Sequence, residues 1–186
     1  ARARAVAWMP QERYIAWPIT VHALVMVGRL PHQAWGARTS PEDTLAVQQA
    51  LAQVGLNGFE DRPATELSAG ERTRALIARA LAQQTPLIMA DEPIAGLDPA
   101  HQMSTMQTFA ELAESGGSVV LSIHDLGLAA RYCTRLIMLG EQRIVGDGNP
   151  ADVLTKDHLA RIFGIEAHFS RTDEGVVFQP LRVLGP

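Results

Sequence analysis

The sequence predicts an α/β domain built on a parallel sheet. Three observations carry this expectation. Apolar runs at residues 5–9, 87–90 and 118–123 have the length of strands and are bounded by proline, glycine or charged residues. Capped helical segments lie between them, and strand–helix–strand alternation implies parallel strands joined by crossovers. A long block, residues 18–82, carries mainly helical signals and stands between the first strand and the second.

Size and composition set the bounds. A chain of 186 residues can form one domain with a sizeable core, and 47% apolar with 19% charged residues places it among globular proteins. Its formal net charge of −4 gives no reason to expect nucleic acid as a partner. The single cysteine, Cys133, excludes an intramolecular disulfide and a cysteine-based zinc site, and a reducing compartment is expected. No apolar run approaches the length of a membrane span, and no signal-peptide pattern opens the sequence. Lys156 is the only lysine beside fifteen arginines.

Taken in order, the first strand at 5–9 stops at Pro10 and leads to Gln11 and Glu12. Thr20 can cap a helix over 21–27 that Gly28 closes, followed by a loop to Ser40. Ser40-Pro41-Glu42-Asp43 combines a cap, a proline at the first helical position and acids against the dipole. Val47, Ala50, Leu51 and Val54 then share a face, and Gly55 ends the helix. Residues 57–66 read as a connecting loop. Ser68-Ala-Gly-Glu71 opens another helix, with Leu76, Ile77, Ala80 and Leu81 on its apolar side. Asp98-Pro99 starts a further helix, whose Met103, Met106, Ala110 and Ala113 are expected to face a core. After the strand at 118–123 come His124-Asp125, a short helix over 128–132 and a turn at 140–142. Asn149 and Thr155 read as caps of two closing helices, and 175–184 as a terminal strand without chemistry.

The chemistry centres on residues 86–93, Pro-Leu-Ile-Met-Ala-Asp-Glu-Pro. A continuous apolar run suits a strand covered on both faces, and it delivers Asp91 and Glu92 at its C-terminal end. That end is where ligands bind in open α/β sheets. Adjacent acids there are costly to desolvate unless a cation or protic group uses them, although structural ion pairs leave the same trace.

Gln11, then Leu67-Ser-Ala-Gly-Glu71, Asp91-Glu92-Pro93, Gly96-Leu-Asp98 and finally His124 follow one another in an order that resembles the ATP-binding domain of ABC proteins. The resemblance extends to about residue 164. Each motif alone is weak, and five in sequence are specific. It implies a P-loop NTPase fold of ABC type with an inserted helical subdomain: an α/β core at 1–17 and 83–186, and a helical subdomain at 18–82 that holds the signature. It also implies ATP and Mg2+ as cofactors. Phosphoryl transfer to water needs a metal ion, a placed water and neutralised phosphate charge. By resemblance, Asp91 and Gln11 serve the magnesium, Glu92 orients or deprotonates the attacking water, and His124 contacts the γ-phosphate. Ser68, Ala69, Gly70, Glu71 and Asp98 serve the ATP held by a second copy in a head-to-tail dimer.

Ser68 and Glu71 also have capping-box spacing, which needs no ligand. Glu71 is expected to act as that cap, with Ser68 and Gly70 facing phosphate. Ala69 and Glu71 stand where the family more often has glycine and glutamine, and Ile94 where it often has threonine. No G-x-x-x-x-G-K-[ST] occurs in the 186 residues, and the aromatic that the resemblance would stack on adenine is missing with it. Family order places both ahead of Gln11, so the chain is expected to lack the first part of such a domain and to bind ATP poorly by itself.

Thr20-Val21, Gly28-Arg29, Pro31-His32, residues 123–133 and residues 148–154 are similar to ATPases of importers for iron–siderophore, haem and cobalamin. That similarity implies a peripheral subunit on the cytoplasmic face of the inner membrane, partnered by an integral membrane permease and indirectly by a substrate-binding protein. A non-catalytic remnant of the fold and a soluble non-transport ABC ATPase are the alternatives.

Overall fold

In the computed structural model, β1 (Val6–Met9), β2 (Leu87–Asp91) and β3 (Ser118–Ser122) form the expected parallel sheet, in that spatial order. Residues 2–12, 14, 15, 17–34, 36, 38–172 and 175–185 are described, and the chain divides into two units, Ala1–Ile123 and His124–Pro186. Met9 stands beside Ala90, and Asp91 beside Ser122, so an acid and a hydroxyl meet at the C-terminal end of the sheet.

One face of this sheet is the core face. Ala7, Met9, Ile88 and Ala90 are buried there, with Val119 and Leu121 of β3 packed against the same cluster. On the other face Trp8 is 54% and Val120 52% exposed. The expectation of strands covered on both faces is therefore corrected. Among the described residues, Phe109 and the α3 alanines join only the first face, and β3 is an edge strand whose side chains are at most half-buried.

Helices α1 (Val21–Met26), α2 (Pro41–Gln53) and α3 (Ala69–Ala82) share one apolar cluster with that sheet face. The caps are those the sequence signals. Thr20 accepts from the Ala23 N–H, and Ser40 with Asp43 completes a reciprocal capping box. Gly55 ends α2 with φ +66°. Gly28 does something other than close α1: the chain continues as a 3-10 helix over Val27–His32. Gly28 is needed for proximity, because a Cβ there would lie 2.2 Å from the carbonyl oxygen of Arg79 on α3. The next residue, Arg29, is buried; its Nε donates to Asp43 Oδ1 at 2.9 Å and its Nη1 to the Ala82 carbonyl at 2.7 Å. His32 Nε2 meets the Gln83 carbonyl at 2.8 Å. Gly28, Arg29 and His32 thus tie the 3-10 turn to α2 and to the end of α3.

Helix α4 (Pro99–Glu114) buries Thr105, Met106 and Phe109, whereas Met103 is 43% exposed and Ala113 is also exposed. The expected stripe holds in part: Met106 is buried and Ala110 half-buried. The buried face centres on Phe109, the bulkiest apolar side chain of the helix, and Met103 lies at its flank.

In the second unit α5 (Leu126–Tyr132) precedes an antiparallel hairpin of β4 (Leu136–Gly140) and β5 (Arg143–Gly148). Asn149 and Thr155 cap α6 (Pro150–Val153) and α7 (Lys156–Phe163), as signalled. The chain closes with β6 (Ile165–Thr172) paired antiparallel to β7 (Gly175–Val183). A separate core of Ala130, Met138, Val153, Leu154, Leu159 and Ala167 holds this unit. Among the described strands only β1–β3 are parallel, so the alternation rule extends no further than residue 123.

Candidate active site

Two groups of candidate residues assemble within the first unit. The first lies at the C-terminal ends of the parallel strands. Pro10 ends β1 and releases Gln11, whose Nε2 donates to Glu92 Oε2 at 2.8 Å across 81 residues of sequence. Asp91 is the last residue of β2, and its Oδ1 accepts a hydrogen bond from Ser122 Oγ of β3. The same Ser122 oxygen accepts the Glu92 N–H at 2.9 Å. Glu92 has φ +44°, a region that costs a non-glycine residue on the order of 1–2 kcal/mol. Strained backbone of this kind concentrates where a side chain must be aimed. The arrangement provides a carboxylate, an amide and a hydroxyl around a second carboxylate, in the crevice where open α/β sheets receive ligands. Ser122 is a participant that sequence reading misses. Its only signal is the register of β3 on β2, which places it beside Asp91.

The donor set suits a magnesium ion. Mg2+ takes one or two carboxylates and otherwise water and phosphate oxygens; Asp91 could supply one carboxylate at the strand end, and the Gln11 amide, bonded here to Glu92, could supply a neutral oxygen.

The second group surrounds the starts of α3 and α4. Ser68 Oγ accepts the Glu71 N–H at 3.3 Å, and Glu71 Oε2 accepts the Ser68 N–H at 2.7 Å, so both halves of the capping box form. Arg62 Nη1 donates to the other Glu71 oxygen at 3.4 Å. The Ser68 N–H, then the Ser68 hydroxyl and the arginines Arg62 and Arg74, hold the Glu71 carboxyl below its ordinary range. Ala69 is the first residue of α3 and takes helical backbone without a glycine. Asp98 caps α4, its Oδ1 accepting the His101 N–H at 3.1 Å. Its Oδ2 pairs with His101 Nδ1, and this bond leads the causes that lower the Asp98 carboxyl. The two helix starts meet at one point. A Cβ on Gly70 would lie 2.8 Å from His101 Cδ2 and 2.9 Å from Nε2. His101 is the second residue that sequence reading misses.

His124 opens the other unit. It precedes Asp125, which caps α5 by accepting the Leu128 N–H at 2.8 Å. The strand-end cluster is thus built from Gln11, Asp91, Glu92 and Ser122, and the helix-start group from Ser68, Gly70, Glu71, Asp98 and His101.

Comparison with known proteins agrees on one family. A family model described as ABC transporter matches residues 1–95. A cobalamin import ATP-binding protein of Halobacterium salinarum is 42% identical over 88% of this chain, which spans 41% of that protein's length. A hemin import ATP-binding protein of Rhodococcus jostii is also 42% identical over 88% of the chain, covering 55% of that protein. A petrobactin import ATP-binding protein of Bacillus anthracis is 37% identical over 97% of the chain and 67% of its own length. Among solved structures, a metal-chelate type ABC transporter in an inward-facing conformation superposes with a TM-score of 0.86 at 27% identity, over 96% of this chain and 72% of that one. An ATP-binding cassette solved as a dimer with ADP and Pi gives 0.68 at 27% identity, over 80% of this chain and 64% of that one.

Proposed function

The chain belongs to the ABC transporter family and has the ABC-type P-loop ATPase fold, and on that premise we propose that it is the catalytic and signature-bearing part of an importer's ATP-binding subunit. The cargo class is a metal chelate: an iron–siderophore, haem or cobalamin. The relatives, import ATP-binding proteins for cobalamin, hemin and petrobactin, support that class, and so does the metal-chelate transporter as structural neighbour.

One observation carries the reading. Gln11, 81 residues from Glu92 in sequence, meets the adjacent acids Asp91 and Glu92 at the strand ends, with Ser122 fixing the two acids. A bound magnesium ion would neutralise phosphate charge there. Asp91 would hold it, through water or directly, and Gln11 would reach the same shell. Glu92 would orient the attacking water and take its proton. In the described conformation one Glu92 oxygen is engaged by Gln11, so the amide must let go, or shift to the metal, before that oxygen handles water. His124 would hydrogen-bond the γ-phosphate. Ser68, Ala69 and Gly70, with Asp98, would face the ATP of a second copy, while Glu71 stays occupied as the cap.

The working assembly is a head-to-tail dimer of such subunits on an integral membrane permease, at the cytoplasmic face of the inner membrane. A substrate-binding protein delivers cargo, and nucleic acid takes no part. The dimeric cassette with ADP and Pi supports the dimer. No helix among the described residues is long and apolar enough to cross a membrane. Tyr14 and Trp17, 84% and 67% exposed beyond Gln11, suit a surface that receives a permease helix. Residues 1–17 and 83–186 would act as the α/β core and 18–82 as the helical subdomain of one domain.

The test uses these residues joined to a preceding G-x-x-x-x-G-K-[ST] segment. Asp91→Asn keeps the shape and the Ser122 contact but removes the charge. Magnesium-dependent ATP hydrolysis is expected to fall by roughly 10²-fold or more. Hydrolysis at the parent rate would remove Asp91 from the metal site.

A further inference from the structure

We propose that His101 is a positioning residue that couples the Ser68–Glu71 helix start to the Asp98 helix start, through ring contact with Gly70 and a hydrogen bond to Asp98. This rests on the functional reading above, in which both helix starts address the same nucleotide.

The argument begins with Gly70. Glycine at a helix start that faces phosphate is usually explained by close approach of the ligand. Here the space of the missing side chain is already filled from inside the chain: three ring atoms of His101 lie 2.8–3.0 Å from where a Cβ would stand. A histidine ring could in principle rotate away from such a clash. His101 is held in place because Asp98 grips it twice, by the backbone N–H at 3.1 Å and by ring Nδ1. Swinging the ring away from Gly70 therefore breaks the Asp98 side-chain bond. With Nδ1 engaged by Asp98, it is the Nε2–Cδ2 edge of the ring that faces Gly70. Gly70, His101 and Asp98 form a three-part joint, so a displacement at one helix start is transmitted to the other. Both starts must be placed to a fraction of an ångström to act on one phosphate group, and misplacement there is costly in rate.

The experiment has two arms. In the 186-residue chain, Gly70→Ala is expected to lower Tm by about 5 °C, since the ring must be displaced. His101→Ala should cost less, and the double variant should regain most of the loss, because the obstacle is gone. In the ATPase formed with a preceding G-x-x-x-x-G-K-[ST] segment, His101→Ala should lower kcat roughly tenfold or more with KM for ATP within about twofold of the parent. The double variant should stay equally slow despite its regained stability. A stable Gly70→Ala chain, or a double variant no more stable than Gly70→Ala, would overturn the contact. Full turnover in His101→Ala or in the double variant would reduce His101 to packing. An inactive parent ATPase would count against the proposed function, while the stability arm would still decide the joint.

Discussion

At the scale of single residues, Gly28 shows how a short motif acquires its reason from packing. Its missing Cβ lets the 3-10 turn lie against the Arg79 carbonyl at a distance no side chain permits. Gly28→Ala should therefore destabilise the chain by about 3 kcal/mol, the upper part of the range for overpacking. A lowered urea midpoint at unchanged m-value checks this, and an unchanged midpoint would mean the turn can move off α3. Residue types with chemistry of their own were legible in the sequence: Asp91 and Glu92 at a strand end, Gln11 after a proline, Ser68 and Glu71 at capping distance. Ser122 and His101 were not. A serine ending an apolar run and a histidine inside a helix's first turn have no spacing that marks them. Their roles arise from partners 31 residues away in each case, Asp91 and Gly70, that only the fold brings near.

At the scale of elements, the caps and strand ends followed local rules, so α2, α3, α4 and β1–β3 lie close to where those rules place them. What local rules did not settle was which face is buried and what pairs at long range. The phase of α4 depends on Phe109 meeting the sheet, and β6 gains its identity only by pairing with β7, although Ile165, Ala167 and Phe169 alternate with polar residues. Arg29 and Asp43 illustrate an element-scale linkage: they join the 3-10 turn over Val27–His32 to the first turn of α2. Hydrogen bonds from Arg29, then Gln33, hold the Asp43 carboxyl down at about 2 against an ordinary 3.8. A depressed carboxyl contributes stability that is complete above its unfolded value and lost as pH falls through its folded value. The native chain should therefore lose stability between about pH 4 and pH 2. Asp43→Asn should be less stable at neutral pH, because Arg29 is left buried without its charge partner, and should show a flatter acid limb. Denaturant midpoints across that window check the slope, and parallel curves for the two proteins would remove Asp43 as the titrating group.

At the scale of the whole molecule, the first unit presents two assembled groups on one sheet and its helices, and the second unit begins with His124. On the proposed reading, a single subunit would hold metal and water chemistry at its strand ends and offer its helix starts to another copy, so activity would belong to a pair. Glu92 is where these requirements meet: it is strained, tied to Ser122 through its N–H and to Gln11 through its carboxylate. The most direct measurement is ATP turnover and dimer state of Glu92→Gln in the protein that joins these residues to a G-x-x-x-x-G-K-[ST] segment. The account predicts that ATP still binds, that steady-state hydrolysis falls by roughly 10²–10⁴-fold, and that an ATP-bound dimer accumulates on size exclusion. Hydrolysis at the parent rate with no trapped dimer would contradict it.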